Sequence, residues 1–327
     1  MAKVLITGVA GFIGSTLADR LLEDGHEVVG VDSFEDYYPR PSKVSNLAQA
    51  RDNARFELVD GNLLDLGGLA RECGCAPVLR RSIAQCDYVY HLAAQAGVRG
   101  SWGRSFSIYA DNNVLATQLL LEDCKGAGIK KLIYASSSSV YGDSPQLPLR
   151  EDGPCAPLSP YGVTKLAGEH LCALYLRNHD VPTVALRFFT VYGPRQRPDM
   201  AFHRFIRAGL DGEDIIVFGD GEQTRDFTYV DDIVSGLVAA MDAPEGMVMN
   251  LGGGSRISLR SAVQTLEVAT GLPMRPKLQP REAGDVRHTC ADVSLAQKTL
   301  GFYPNTTLAE GLRREYEWIL ATSRRHS

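Results

Sequence analysis

Through the first half of the chain, short apolar runs alternate with amphipathic stretches of helix length. The runs fall at residues 3–7, 27–31, 55–59, 87–91, 131–135 and 183–188, and most of their positions are apolar. Strands that are apolar throughout are buried on both faces, which suits a parallel sheet with crossover helices. Helices are expected over 12–24, 62–73, 105–127 and 160–179. That alternation predicts an α/β fold built on a doubly wound parallel sheet. After Tyr192-Gly193-Pro194 the segments shorten, with Gly and Pro breaking them at 211–222, 244–254 and 271–284. We expect a first domain over 1–185 and a smaller α/β domain over 186–327, with some later elements returning to the first. No internal repeat of 20–50 residues is visible.

Composition narrows the partners. With 44% hydrophobic and 22% charged residues the 327-residue chain is ordinary for a globular protein. A net charge of −5 provides no basic field for nucleic acid or an anionic membrane. An anionic ligand would therefore need a local cluster of arginines. No run of 18 apolar residues offers a membrane span, and Gly8 ends the N-terminal apolar run, which reads as a buried strand. The cysteines at 73, 75, 86, 124, 155, 172 and 290 have neither disulfide-framework nor zinc-site spacing, so they read as reduced thiols in a cytoplasmic protein.

The first strand runs directly into Gly8-Val-Ala-Gly11-Phe12-Ile13-Gly14 at the start of a helix. Gly8 permits a tight turn, Gly11 lets backbone approach a pyrophosphate, and Gly14 lets helix and strand pack closely. The helix N-terminus adds free N–H groups and a positive dipole end. A second strand then ends in Asp32, 18 residues past Gly14, near the roughly 20 this arrangement calls for. A carboxylate there accepts from ribose hydroxyls and repels a 2′-phosphate, which favours NAD over NADP.

Ser159-Pro160-Tyr161-Gly-Val-Thr-Lys165 opens a helix and puts Tyr161 and Lys165 on one face. An ammonium beside a phenol favours the phenolate, which is what a base for alcohol oxidation needs. A lone Tyr-x-x-x-Lys is also common as core plus solvated surface. Here the strand at 131–135 runs into Ser136-Ser137-Ser138-Ser139, which places hydroxyls at the strand end where such sheets bind ligands.

Together these motifs resemble the extended short-chain dehydrogenase/reductases, and among them the nucleotide-sugar epimerases. The resemblance is carried by the glycine loop, His91-Leu-Ala-Ala-Gln95, the serine run ending in Tyr-Gly142, Tyr161-x-x-x-Lys165, Arg187-Phe-Phe-Thr-Val-Tyr-Gly-Pro194 and Gly219-Asp-Gly-Glu-Gln-Thr-Arg-Asp-Phe227. It implies a Rossmann-type sheet and bound, recycled NAD. It implies Tyr161 as base, Lys165 lowering its pKa and holding the nicotinamide ribose, and Ser137 bonding the reacting hydroxyl. Asn62 and Leu63 would lie beside the adenine, where the family usually carries Asp before the apolar residue, and Leu92, Ala93 and Ala94 would line the cofactor's middle. Related dehydratases and decarboxylases carry carboxylates just after the catalytic hydroxyl; here Ser138 and Ser139 stand there, which favours epimerisation at carbon 4.

The sugar is read from the following loop, Gly193-Pro-Arg195-Gln-Arg197-Pro-Asp-Met200. Thr190 replaces the Asn of UDP-glucose/galactose epimerases, and the stretch resembles UDP-glucuronate 4-epimerases, in which Thr and Arg hold the sugar carboxylate. Arg197 with Thr190 is the expected clamp, an arginine fork suiting a carboxylate; loop arginines facing solvent are the alternative. By resemblance Arg225 and Arg281 grip the diphosphate, surface salt bridges being the alternative; Val217 and Phe218 read either as a cover for the uracil or as apolar core, and Ser138 is expected to meet the sugar. His91 reads as structural, and Arg99 receives no role. A homodimer through the helices at 105–127 and 160–179 is implied by resemblance alone.

Overall fold

The computed structural model describes residues 1–69 and 74–324. Its strands are β1 (Lys3–Thr7), β2 (Glu27–Asp32), β3 (Phe56–Asp60), β4 (Tyr88–His91), β5 (Lys131–Ser137), β6 (Thr183–Phe188), β7 (Thr190–Tyr192), β8 (Ile215–Phe218), β9 (Thr224–Arg225), β10 (Phe227–Tyr229), β11 (Val248–Leu251), β12 (Ile257–Ser258) and β13 (Pro276–Gln279). Seven of them form one sheet in the order β11-β6-β5-β4-β1-β2-β3, and every pairing in it is parallel. This is the Rossmann-type, doubly wound order, which reverses direction between β1 and β4.

Alternate residues of these strands feed two apolar layers, which explains runs with no polar face. Val4, Ile6, Val28 and Ile133 join one cluster, whereas Leu5, Val29, Val31 and Leu132 join the other. Side chains on a strand alternate between faces, so burial on both faces demands apolar residues at consecutive positions. Beyond β6 no strand among the described residues is longer than four residues. β7 pairs in parallel with β10, β8 in parallel with β13, and β9 antiparallel with β12. β11 leaves this region to pair with β6 at the edge of the main sheet, Val248 opposite Ala185 and Leu251 opposite Phe188.

Helices Phe12–Glu23 and Pro160–His179 lie where periodicity puts them. Two expectations need correction. Residues 62–73 do not form one helix: a 3₁₀ segment, Leu63–Gly67, ends at Gly68 in the left-handed region, and residues 70–73 lie outside the described set. The α-helix instead comes later, at Ala76–Gln85, with a proline in its first turn. Its first free N–H, from Ala76, is met by Asp65 Oδ2 at 2.8 Å, an acceptor eleven residues upstream that local pattern does not reveal. The stretch 105–127 is also broken, into Phe106–Tyr109, a π-helical turn over Ala110–Leu115, and Ala116–Cys124. Among the described residues no helix is long and apolar enough to cross a membrane, no His/Cys/Asp/Glu cluster could hold a metal, and Cys86, Cys124, Cys155, Cys172 and Cys290 are free thiols. Cys73 is outside the described residues.

Candidate active site

The main cleft opens at the carboxyl ends of β1, β2, β4 and β5, where sheets of this topology bind ligands. Gly8 (φ +72°), Gly11, Phe12, Ile13 and Gly14 form one wall. A Cβ on Gly14 would stand 2.3 Å from the Gly8 carbonyl oxygen, and one on Gly8 would stand 2.8 Å from Ala93 backbone. Only glycine fits this crossing. Gly11 caps the helix Phe12–Glu23 without a side-chain hydrogen bond, so its leading N–H groups face the cleft free to meet an anion.

Asp32 ends β2 at the cleft, its carboxylate accepting from Ala10 N at 3.0 Å and Phe34 N at 2.8 Å. Burial pushes its pKa upward. Asn62 Oδ1 accepts from Leu64 N at 2.9 Å, and its Nδ2 donates to Glu35 Oε1 at 3.1 Å. Leu63, Leu92, Ala93 and Ala94 complete the apolar lining. His91 is buried beneath, between Thr7 Oγ1 at 2.8 Å and Thr117 Oγ1 at 2.9 Å. Burial lowers its pKa to about 3, so it is a neutral structural group.

Tyr161 and Lys165 rise from the helix Pro160–His179, whose first turn is capped by Ser159 Oγ accepting from Gly162 N at 3.1 Å. Both line the cleft. Burial raises the Tyr161 pKa, opposed by a hydrogen bond from Ser137 and by the charge of Arg197. Arg197 is therefore one cation that acts on the phenol. Lys165, the cation the sequence pointed to, donates its Nζ to the Ala135 carbonyl at 2.9 Å, and burial lowers its pKa to about 8. One turn on, Glu169 takes a two-pronged ion pair from Arg187 of β6 (Nε 2.9 Å, Nη2 2.7 Å) and a short hydrogen bond from Ser136 of β5.

Ser137 Oγ also accepts from Ser139 N at 3.1 Å, and beyond it Ser138, Ser139 and Thr190 line a second pocket with Val98, Arg225 and Thr289. Arg197 lines the first cleft with Tyr161 rather than the pocket with Thr190. Its guanidinium makes a fork to Asp199. Arg225 is largely buried in the second pocket, its Nη1 donating to the Thr224 and Arg287 carbonyls at 2.9 and 3.3 Å. Arg281 is half exposed and bonded to the Asp285 carbonyl oxygen. Phe218 lies under the Arg99 guanidinium at 4.0 Å, while Arg99 pairs with Asp285 at 2.8 Å. Val217 is 3% exposed in the hydrophobic core with Phe205 and Ile215, so its side chain is packing.

Comparison with known proteins agrees with this architecture. The model of the NAD dependent epimerase/dehydratase family matches residues 4–252. This chain belongs to that family. It is 43% identical to the uncharacterized UDP-glucose epimerase YtcB of Bacillus subtilis (strain 168), covering 97% of this chain and 98% of that protein. It is 38% identical to the UDP-glucuronate 4-epimerase of Thermodesulfobacterium geofontis (strain OPF15), covering 97% and 96%. The crystal structure of the UDP-glucuronic acid 4-epimerase of Bacillus cereus, with UDP-glucuronic acid and NAD, superposes with a TM-score of 0.91 at 43% identity, covering 98% of this chain and 99% of that one.

Within the epimerase/dehydratase frame, sequence reading missed several lining residues. Tyr37 and Tyr38 come from the loop after β2, Lys43 from the helix Arg40–Asn46 that follows it, Gln95 follows β4, and Asn112 sits in the π-helical turn. That turn is itself a signal of function, because π-turns cluster at sites. Asn113 within it accepts from Gln95 N at 2.7 Å and donates to Thr164 at 2.9 Å, tying the two cleft walls together.

Proposed function

We propose that this chain is an NAD-dependent UDP-sugar 4-epimerase whose substrate pair is UDP-glucuronate and UDP-galacturonate. One observation carries the choice of sugar: the side chain of Arg197 is 80% shielded from solvent and sits in the same cleft as Tyr161, close enough to bias its phenol. A shielded guanidinium there suits a carboxylate on the reacting sugar and has no equally good use with a neutral hydroxymethyl group. The glycine crossing and the carboxylate of Asp32 fit a dinucleotide; when bound, NAD supplies a reversible hydride acceptor at carbon 4.

In this reading Gly8, Gly11, Phe12, Ile13 and Gly14 hold the pyrophosphate, Asp32 the adenosine ribose, and Asn62 and Leu63 the adenine. Leu92, Ala93 and Ala94 pack against the cofactor's middle, and Lys165 holds the second ribose. Ser137 orients the sugar 4-hydroxyl and Tyr161 takes its proton. Because burial keeps the phenol protonated, Tyr161 becomes a base only when positive charge is brought against it. Arg197 holds the carboxylate from the first cleft, Thr190 and Ser138 face the sugar from the second pocket, Arg225 and Arg281 hold the diphosphate, and Phe218 with Arg99 above it the uracil. Hydroxyls at Ser138 and Ser139 cannot act as carboxylate bases for dehydration.

The same reading gives a homodimer. Phe106, Ile108, Val163 and Leu174 are 41–53% exposed on the helices at 105–127 and 160–179, an apolar face suited to a second copy. We place the protein in the cytoplasm, where its thiols stay reduced. The test is proton NMR of UDP-glucuronate with the purified protein and no added cofactor, beside UDP-glucose. UDP-galacturonate is expected, and Arg197→Ala should weaken UDP-glucuronate binding far more than UDP-glucose binding. Turnover of UDP-glucose alone would make it a UDP-glucose epimerase, as its Bacillus subtilis relative is named; UDP-xylose would make it a decarboxylase.

A further inference from the structure

Arg197 already holds a carboxylate. Its Nε and Nη2 donate to the two oxygens of Asp199 at 2.9 and 3.0 Å, the fork geometry a sugar carboxylate would use. Asp199 has a second anchor, the Tyr37 hydroxyl donating to its Oδ2 at 3.1 Å. Tyr37 also lies beside Arg197, its ring centre 5.6 Å from the guanidinium carbon. The side chains differ in exposure, 20% for Arg197 and 43% for Asp199. Asp199 therefore has water to move into and a hydrogen bond to keep when it leaves the guanidinium.

The loop beneath them is pinned. Gly193 N donates to the buried Glu315 at 2.9 Å, and Arg195 pairs with Asp19 of the helix Phe12–Glu23 at 2.6 Å. Any exchange at Arg197 is then an affair of side chains rather than of the loop. Charge adds a constraint. Arg197 and Asp199 together are neutral, so a second carboxylate arriving while Asp199 stays would leave an excess negative charge in a shielded cleft.

Epimerisation at carbon 4 adds another. The sugar must show both faces of that carbon to the same wall of the pocket, so it has to turn over between the two half-reactions. A carboxylate held by a fork on both oxygens resists turning. We propose that Asp199 is an internal carboxylate that trades places with the sugar carboxylate on Arg197, yielding the guanidinium when the sugar binds and reclaiming it while the sugar turns. This rests on the reading of Arg197 as the carboxylate clamp.

The experiment uses full-length protein with its copurified NAD and compares Asp199→Asn and Asp199→Ala with wild type. Calorimetry gives affinity for UDP-glucuronate and UDP-glucose, and NMR gives turnover. Without the competing carboxylate, UDP-glucuronate should bind roughly tenfold tighter, as a charged hydrogen bond is freed for it. Its kcat should fall by about the same factor, because the grip no longer relaxes. UDP-glucose affinity should move by less than about twofold. Weaker UDP-glucuronate binding in both variants would make Asp199 a brace for Arg197 and overturn the exchange, as would equal shifts for both sugars. If Arg197→Ala proves selective for UDP-glucuronate while the Asp199 variants match wild type, only the exchange fails. If Arg197→Ala weakens both sugars alike, the clamp itself falls.

Discussion

Tyr161 shows how much a single side chain owes to its surroundings. Burial opposes the charged form that a base requires, while Ser137 and Arg197 work the other way. Removing its hydroxyl should spare the cofactor, because the glycine crossing and Asp32 do not depend on it. Tyr161→Phe is expected to copurify with NAD and to lose about 100-fold or more of its turnover. Bound cofactor read by absorbance, with NMR for turnover, checks this; a near-normal rate would remove Tyr161 as the base. Gly14 and Tyr161 were legible in the sequence because a steric crossing or a helical turn fixes their spacing. Asp199 and Tyr37 were not: they are 162 residues apart, and only the folded chain makes them hydrogen-bond partners.

At the scale of elements, the buried Glu169–Arg187 pair joins three pieces that must keep register. Glu169 is one helical turn beyond Lys165, Arg187 lies in β6, and Ser136 in β5 bonds the same carboxylate. Both charged side chains are about 95% shielded. Glu169→Ala would strand the Arg187 charge without a partner, at a cost of about 3–5 kcal/mol. Urea unfolding of the variant beside wild type checks this, and a loss under about 1 kcal/mol would show that water reaches the arginine. The main strands were readable because both faces of the sheet are covered and most of their positions are apolar. The helix Ala76–Gln85 was not, since Asp65, which satisfies its first turn, is distant in sequence. Nor was the π-turn at Ala110–Leu115, six residues being too few for periodicity to tell it from the α-helical turns on either side.

For the whole molecule, assembly is the property most open to test. Leu174 is 53% exposed on the longer of the two helices that carry the apolar face. Leu174→Glu should turn a dimer into monomers in sedimentation, with NAD still bound, because the cleft lies at the strand ends and not on this face. A wild type that sediments as a monomer at micromolar concentration would end the idea.

The return of β11 to the edge of β6 has a consequence during synthesis. When Phe188 leaves the ribosome, β6 is an apolar strand with one side unpaired, and its partner lies about 60 residues downstream. At roughly 5–20 residues per second, that edge stays open for about 3–12 seconds. Open edges invite pairing with other chains. The nascent protein therefore passes through an interval of exposure that ends only when Leu251 emerges, and a chaperone arriving late would meet a hazard already closed.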